Sequence, residues 1–338
     1  KIVTIMFGKR KNHMEYRETG GIMDFLQFKE ELYETLSVYV KEQLNGTLHS
    51  DLIQKNGGPK NGFTYVQGNG PIGITLYAEN AYEFYQNGAS IDQIAKGMFN
   101  TMKEYSMDQD AEINIEEMFK PENIIPALVP SEGNEELLKT IPHIPFENLE
   151  IIFKFSLPNF RGGGTANVPN RYMELHGWNA EKLLDIAMKN SAYRDEISVM
   201  PLVDAMFGPS WMSWEEDLIF LSEVPGKSVI ISNSSNAYGA AAIMDKEVMK
   251  KIADVFGEDL YIIPSSVHDC ILMPKSESTL EELQEMVYEV NRETVSREDR
   301  LSDDIYFFDS ITKEITMVSG QREISKQQEP KVTGEQRR

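Results

Sequence analysis

The chain has 338 residues, with 54 Asp plus Glu against 33 Lys plus Arg, 41% apolar residues and one cysteine, which is material for one large or two ordinary globular domains. No run approaches the roughly 20 consecutive apolar residues of a spanning helix, which argues against a helical membrane protein, and ordinary Gly and Pro usage excludes a collagen-like or low-complexity chain. The lone Cys270 cannot form an internal disulfide or a Cys-based metal site, and it fits a reducing cytoplasm.

Lys1 to Ile22 carries five basic and two acidic residues and only a short apolar run, Ile2 to Phe7, with no small-residue cleavage pattern behind it. It does not read as a secretory signal. Codons for Thr19-Gly20-Gly21-Ile22 can spell a purine-rich ribosome-binding site ahead of an ATG at Met23, so we expect translation to start there and residues 1–22 to be a non-native or disordered extension. The polar stretch 320–338 reads as a disordered tail. Taking both ends away leaves 23 basic and 49 acidic residues in 23–319, a formal charge of −26. Such a field repels phosphate backbones and argues against direct nucleic-acid binding.

Asp24 caps a helix predicted over 24–44, with Gln27 at the capping-box position and Phe25, Phe28, Leu32, Leu36 and Tyr39 on one face. Strand-like runs follow at Thr47 to Gln54, Gly62 to Gln67 and Ile72 to Tyr77, between Gly-, Asn- and Pro-rich turns. Ser90 with Gln93 forms a second capping box, and Ile91, Ile94, Met98, Met102 and Tyr105 keep helical spacing. Five prolines between Pro121 and Pro145 interrupt regular structure and mark a boundary, giving an N-terminal subdomain 23–118, a connection 119–147 and a C-terminal subdomain 148–319.

Beyond the boundary come a strand at Leu149 to Phe155, a glycine-rich connection Arg161 to Gly164, and a helix pair broken at Gly177 and restarted by Asn179. The section around Trp211 and Trp214 has no clear pattern. Val229 to Ser232 and Ala237 to Met244 read as adjacent strands, then Asp245 caps a helix ending at Gly257 with Lys250 and Lys251 in its later turns. Leu260 to Ile263 and Val267 to Met273 read as strands joined by Pro264-Ser265-Ser266. A helix opens at a Ser278/Glu281 capping box and buries Leu280, Leu283, Val287 and Val290, and a hairpin over Tyr306 to Asp309 and Glu314 to Val318 closes the pattern. Helices and strands mix without strand-helix-strand alternation, so the expected class is α+β with mainly antiparallel sheet.

The run from Gly239 through Ala-Ala-Ala-Ile-Met-Asp-Lys-Glu-Val-Met-Lys-Lys-Ile-Ala-Asp-Val-Phe-Gly-Glu-Asp-Leu-Tyr-Ile-Ile-Pro-Ser-Ser-Val to His268 resembles the signature of a bacterial family, the domain of unknown function numbered 5688. Asn87 to Ala95, Pro142 to Phe146, Glu174 to Trp178, and Glu289 to Ser296 ahead of Leu301-Ser302-Asp303 agree with it. The likeness spans roughly Met23 to Val318. It implies a bacterial protein and carries over no catalytic residues.

Gly68-Asn-Gly-Pro-Ile-Gly73 matches a dinucleotide-loop pattern, with Asp92 about 20 residues on. Its context is wrong, because a strand is expected where a helix must begin and Pro71 removes a donor. Gly226-Lys227-Ser228 resembles the end of a P-loop, but Leu221 stands at the first glycine position and a strand follows. Asp108, Asp110 and Glu112 have calcium-loop spacing, yet Ile113 and Phe119 replace the required glycine and carboxylate. The five histidines, at 13, 49, 143, 176 and 268, form no zinc-hydrolase pair. No cofactor and no metal site is therefore expected.

The strongest chemical cluster is Ser265, Ser266, His268, Asp269 and Cys270. On a strand, His268 and Cys270 share a face while Asp269 points away, so imidazole and thiol are neighbours and no local carboxylate orients the ring. Turn chemistry and a buried thiol explain the same residues. Glu215, Glu216 and Asp217 beside Trp214 form a candidate binding edge. The leading expectation is a cytoplasmic, non-catalytic binding or regulatory module whose acidic surface meets a basic protein partner, with no catalytic residue assigned. Two alternatives stand beside it: a hydrolase-like enzyme using His268 with Ser266 or Cys270, and an acidic mimic of nucleic acid.

Overall fold

The computed structural model describes residues 23–68, 73–107, 115–157, 164–202, 228–293 and 295–318. The proposed extension 1–22, the tail 320–338, the acidic loop 108–112, the segment from Trp211 to Asp217 and the pair Gly226-Lys227 lie outside them. The class is α+β, with helices and three antiparallel sheets.

The Asp24 carboxylate accepts from the Gln27 amide at 2.9 Å and starts α1 (Phe25–Gln43), which buries Phe28, Leu32, Leu36 and Val40 at helical spacing. The Gln27 side chain bonds Glu31 instead of returning to the cap, so the box is one-sided. β1 (Gly46–Lys55), β2 (Gly58–Gln67) and β3 (Gly73–Tyr77) form a meander, and α2 (Ala78–Gln86) and α3 (Ile91–Met107) pack with α1 on its apolar face through Phe63, Tyr65, Ala95 and Met102. The Ser90/Gln93 box opens α3 reciprocally. Gly73 begins a strand rather than a helix, which removes the geometry a dinucleotide loop needs.

The proline-rich stretch carries regular structure, contrary to the expectation. After α4 (Ile115–Met118), β4 (Ile124–Pro130), α5 (Glu135–Leu138) and β5 (His143–Phe146) precede β6 (Leu149–Ser156), and both β4 and β5 pair with β6. Pro126 and Pro145 are tolerated because, among the described residues, β4 and β5 each pair on one side only. β7 (Thr165–Asn167) continues along the same edge of β6 as β5, setting Lys154 opposite Asn167.

Gly177, at φ 64°, ends α6 (Asn170–His176), and the Asn179 side chain starts α7 (Ala180–Lys189), followed by α8 (Ser191–Arg194). The third sheet runs in the order β13-β12-β10-β11-β9-β8. Its strands are β8 (Ile197–Pro201), β9 (Val229–Asn233), β10 (Leu260–Ile263), β11 (Cys270–Pro274), β12 (Tyr306–Phe308) and β13 (Ile315–Met317). Asp245 and Gly257 bound α9 (Lys246–Phe256), and α10 is Leu280–Glu293.

Three sequence expectations need correction here. Ala237 to Met244 is no strand: Gly239–Met244 is a buried 3-10 helix against β4 and β9, because its small side chains allow close backbone approach. β11 begins at Cys270 rather than Val267, since the preceding serines are bonded into a turn. The box on α10 is Thr279/Glu282, one residue later than Ser278/Glu281.

The β1–β2 tip is clasped by the rest of the molecule. Asn56 Nδ2 donates to the carbonyls of Glu298 (2.7 Å) and Arg300 (3.1 Å), and Asn134 donates to Asn56 Oδ1 at 2.9 Å. Gly57, at φ 77°, lies so close to Arg297 that a Cβ would sit 2.9 Å from its carbonyl oxygen. Lys60 pairs with Glu298 at 2.8 Å. These bonds hold the hairpin tip beside the β6–β7 edge.

Candidate functional site

The turn before β11 uses up its serine hydroxyls. Ser265 and Ser266 both donate to Asp269 Oδ1, the latter at 3.1 Å, and Ser266 Oγ also accepts from the His268 amide at 3.0 Å. The His268 ring makes its bonds to other groups. Its Nδ1 accepts from the Tyr238 amide at 3.2 Å, which places the ring proton on Nε2, and Nε2 donates to Asp299 Oδ1 at 3.1 Å. That bond, opposed by partial burial and supported by the Ser296 hydroxyl at 2.7 Å, holds the Asp299 carboxyl below its usual range.

Cys270 is fully buried opposite Ile231, with Sγ 3.9 Å from the Ala240 carbonyl oxygen. Burial pushes its thiol well up, with the Asp269 charge adding to the effect. His268 therefore has an orienting carboxylate, Asp299, while Ser266 and Cys270 make their bonds elsewhere. His49 and His143 are exposed on β1 and β5, and His176 packs against Tyr172 and Trp178, with centroids 4.3 and 4.5 Å away. His13 lies outside the described residues. Among the described residues no group of three or more His, Cys, Asp or Glu could hold a metal ion.

A second set of groups lies against the Tyr238 ring. Lys154 interrupts the apolar run of β6, where strand alternation puts it on the face of Ile152, against Val129, Leu137 and Tyr238. It is only 5% exposed. Its Nζ donates to Asn167 Oδ1 at 2.6 Å and stands 3.9 Å from the Tyr238 ring centroid. Burial, aided by the charge of Lys55, pulls its pKa down to about 7. Burial also lowers Lys55, against the pull of Glu298 and with the push of Lys60.

These lysines border a cavity of about 220 Å³, walled by Ile53, Gln54, Asn56, Thr165, Asn167 and Tyr238 among others. Among its described lining residues there are two lysines and no carboxylate. The cavity's volume is below the roughly 300–1,000 Å³ of drug-sized sites, which suits a small ligand.

Tyr238 joins the two sets. Its backbone is left-handed (φ 58°, ψ 29°), which costs a non-glycine residue about 1–2 kcal/mol. Gly239 behind it is obligatory, because a Cβ would come within 2.5 Å of Ser232 Oγ and 2.6 Å of both the Asn233 nitrogen and the His268 carbonyl oxygen. Burial, with Asp299 and Glu298 adding, pushes the Tyr238 hydroxyl up to about 12, so the phenol stays neutral. The ring lies near both Lys154, at 3.9 Å, and His268, 5.7 Å away by centroid.

Residues 25–310 match the model of a family of unknown function, DUF5688. The chain belongs to that family. No curated protein and no solved structure gives a significant match. In this DUF5688 protein every residue of the site, from Lys55 to Asp299, falls inside the matched span. Of these groups, the sequence singles out His268 with its neighbours Ser265, Ser266, Asp269 and Cys270, and not Lys154, Asn167, Tyr238 or Asp299. A lysine inside Ile151-Ile-Phe-Lys-Phe155 was the available signal for Lys154; Asn167, Tyr238 and Asp299 are brought in by long-range packing and carry none.

Proposed function

We propose that this DUF5688 protein is a binding module that takes a small anion in the cavity between the β1–β2 tip and the β6–β7 edge. The observation that carries the reading is the cavity's charge: Lys55 and Lys154 line it with no carboxylate among the described residues, in a chain of formal charge −21. A buried ammonium without a counter-ion is costly, and the depressed pKa of Lys154 expresses that cost. An anion entering the cavity supplies the missing charge. Asn167 and Thr165 add polar partners, and Val129, Leu137 and Ile152 supply a low-dielectric wall that strengthens the attraction.

Titration calorimetry at low salt with lactate, acetate, phosphate and sulfate tests this. At least one anion binds wild type, and Lys154→Met weakens it by about tenfold or more, the cost of one charge-assisted hydrogen bond. Failure of all four to bind, or equal binding by the variant, would contradict the reading.

The excess of carboxylates over 23–319 favours a second ligand for the same module, a basic protein partner for the acidic exterior. The hydrolase alternative gains an orienter for His268 in Asp299, but its two candidate nucleophiles point away: Ser266 is bonded to Asp269, and the Cys270 thiol is buried and faces Ala240. A nucleic-acid mimic would need carboxylates spaced like phosphates along one face.

A further inference from the structure

We propose that the cavity captures a small oxo acid covalently, Lys154 Nζ adding to the ligand carbonyl to form an imine while Lys55 faces the ligand carboxylate. The proposal rests on the anion-site reading and adds to it the chemical class of the ligand. A lysine becomes a carbonyl nucleophile when it is desolvated among apolar side chains or set beside another cation. Lys154 meets both conditions, with Val129, Leu137 and Ile152 around the cavity and the charge of Lys55, another lining residue, acting on it. A third condition is a fixed direction of attack. The Asn167 bond at 2.6 Å and the Tyr238 ring at 3.9 Å hold Nζ from two sides, and the side chain borders open space of about 220 Å³.

Tyr238 contributes by remaining uncharged. A phenolate at that distance would hold Lys154 as the ammonium, whereas a neutral ring leaves a large fraction of the amine unprotonated near neutral pH. Glu298, the carboxylate whose charge acts on Lys55, is bonded to Lys60 at 2.8 Å, which leaves Lys55 positive charge to offer a ligand.

The step balances without an oxidant or reductant. The amine lone pair forms the C–N bond as the carbonyl π electrons move to oxygen, and a proton passes from nitrogen to that oxygen to give a carbinolamine. The oxygen then leaves with the second amine proton as water, and C=N forms. Hydrolysis reverses the step and releases the oxo acid.

Incubation of the full chain with pyruvate and sodium cyanoborohydride near pH 7, followed by intact mass and peptide mapping, tests this. The expected result is one carboxyalkyl group per chain on Lys154, with at least about tenfold more label there than on any surface lysine, because an ordinary lysine is almost fully protonated at this pH. Excess lactate, which has the carboxylate and no ketone, suppresses the label. Lys154→Arg, whose guanidinium cannot form the imine, abolishes the label. Lys55→Met, a second variant, lowers labelling by pyruvate more than labelling by uncharged propanal. Label spread evenly over surface lysines while lactate still binds in a Lys154-dependent way would overturn the imine and leave the anion site standing. Absence of lactate binding together with absence of Lys154 label would overturn both.

Discussion

The ammonium of Lys154 lies 3.9 Å from the centre of the Tyr238 ring and has no carboxylate bonded to it among the described residues. The same tyrosine donates its backbone N–H to His268 Nδ1. One left-handed residue thus holds a buried lysine and a carboxylate-oriented histidine in fixed relation.

The pH dependence of stability follows from Lys154. Its amine titrates near 7 in the folded chain against 10.5 as its ordinary value, so between those pH values the unfolded chain binds the extra proton. Stability therefore rises with pH across that window. Lys154→Met removes this contribution. Urea unfolding at pH 7 and pH 9 should show wild type gaining on the variant by on the order of 2 kcal/mol, and parallel behaviour of the two proteins would refute the assignment.

Asp299 acts at the other end of the pH scale. Its carboxyl is held below 3.8 by the His268 N–H, so its contribution is present above that value and is lost as pH falls through the lower folded value. The side chain is 40% exposed, and screening limits the effect to under about 1 kcal/mol. Thermal melts from pH 2.5 to 5 should be flatter for Asp299→Asn than for wild type; identical profiles would count against the pairing.

Gly239→Ala places a methyl group against Ser232, Asn233 and His268, two of the contacts being backbone atoms that cannot rotate away. The expected loss is about 1–3 kcal/mol by denaturant unfolding. The variant should also lose anion binding, because Tyr238 is displaced with its neighbour. A neutral effect on stability would mean that this backbone approach is looser than described.

Asn56→Ala removes the clasp on the hairpin tip, leaving the Glu298 and Arg300 carbonyls and the Asn134 amide without this partner. A loss of about 1–3 kcal/mol is expected. Anion affinity should fall with it, since Lys55 is the adjacent residue and borders the cavity. Unchanged affinity in a folded Asn56→Ala protein would show that the hairpin tip does not shape the site.

Cys270 should react slowly with iodoacetamide at pH 8 in the native protein and rapidly in urea, because its thiol is both buried and hard to ionise. Fast native alkylation would place the thiol in solvent.

Local chemistry was legible in the sequence where caps and periodicity agree. Asp24, Ser90 with Gln93, Asn179, and Asp245 with Gly257 each mark a helix end observed in the structure. Ala237 to Met244 misleads because a short run of small apolar residues carries no period that separates a strand from a tight buried helix. Pro126 and Pro145 mislead because edge strands tolerate proline. At the site, strand alternation pairs His268 with Cys270 only if the strand reaches back to Val267, and the Ser265/Ser266/Asp269 turn prevents that. Asp299 stands 31 residues from His268, and the Lys154 cavity needs β1, β6, β7 and the residue before a 3-10 helix at once, so no local pattern announces either.

The most direct measurement is the titration of Lys154 itself, by carbon-13 NMR of its ε-methylene in the full chain with and without lactate. The account predicts a midpoint of about 7 in the free protein, moving upward when the anion binds. A midpoint at the ordinary 10.5, unmoved by lactate, would contradict it.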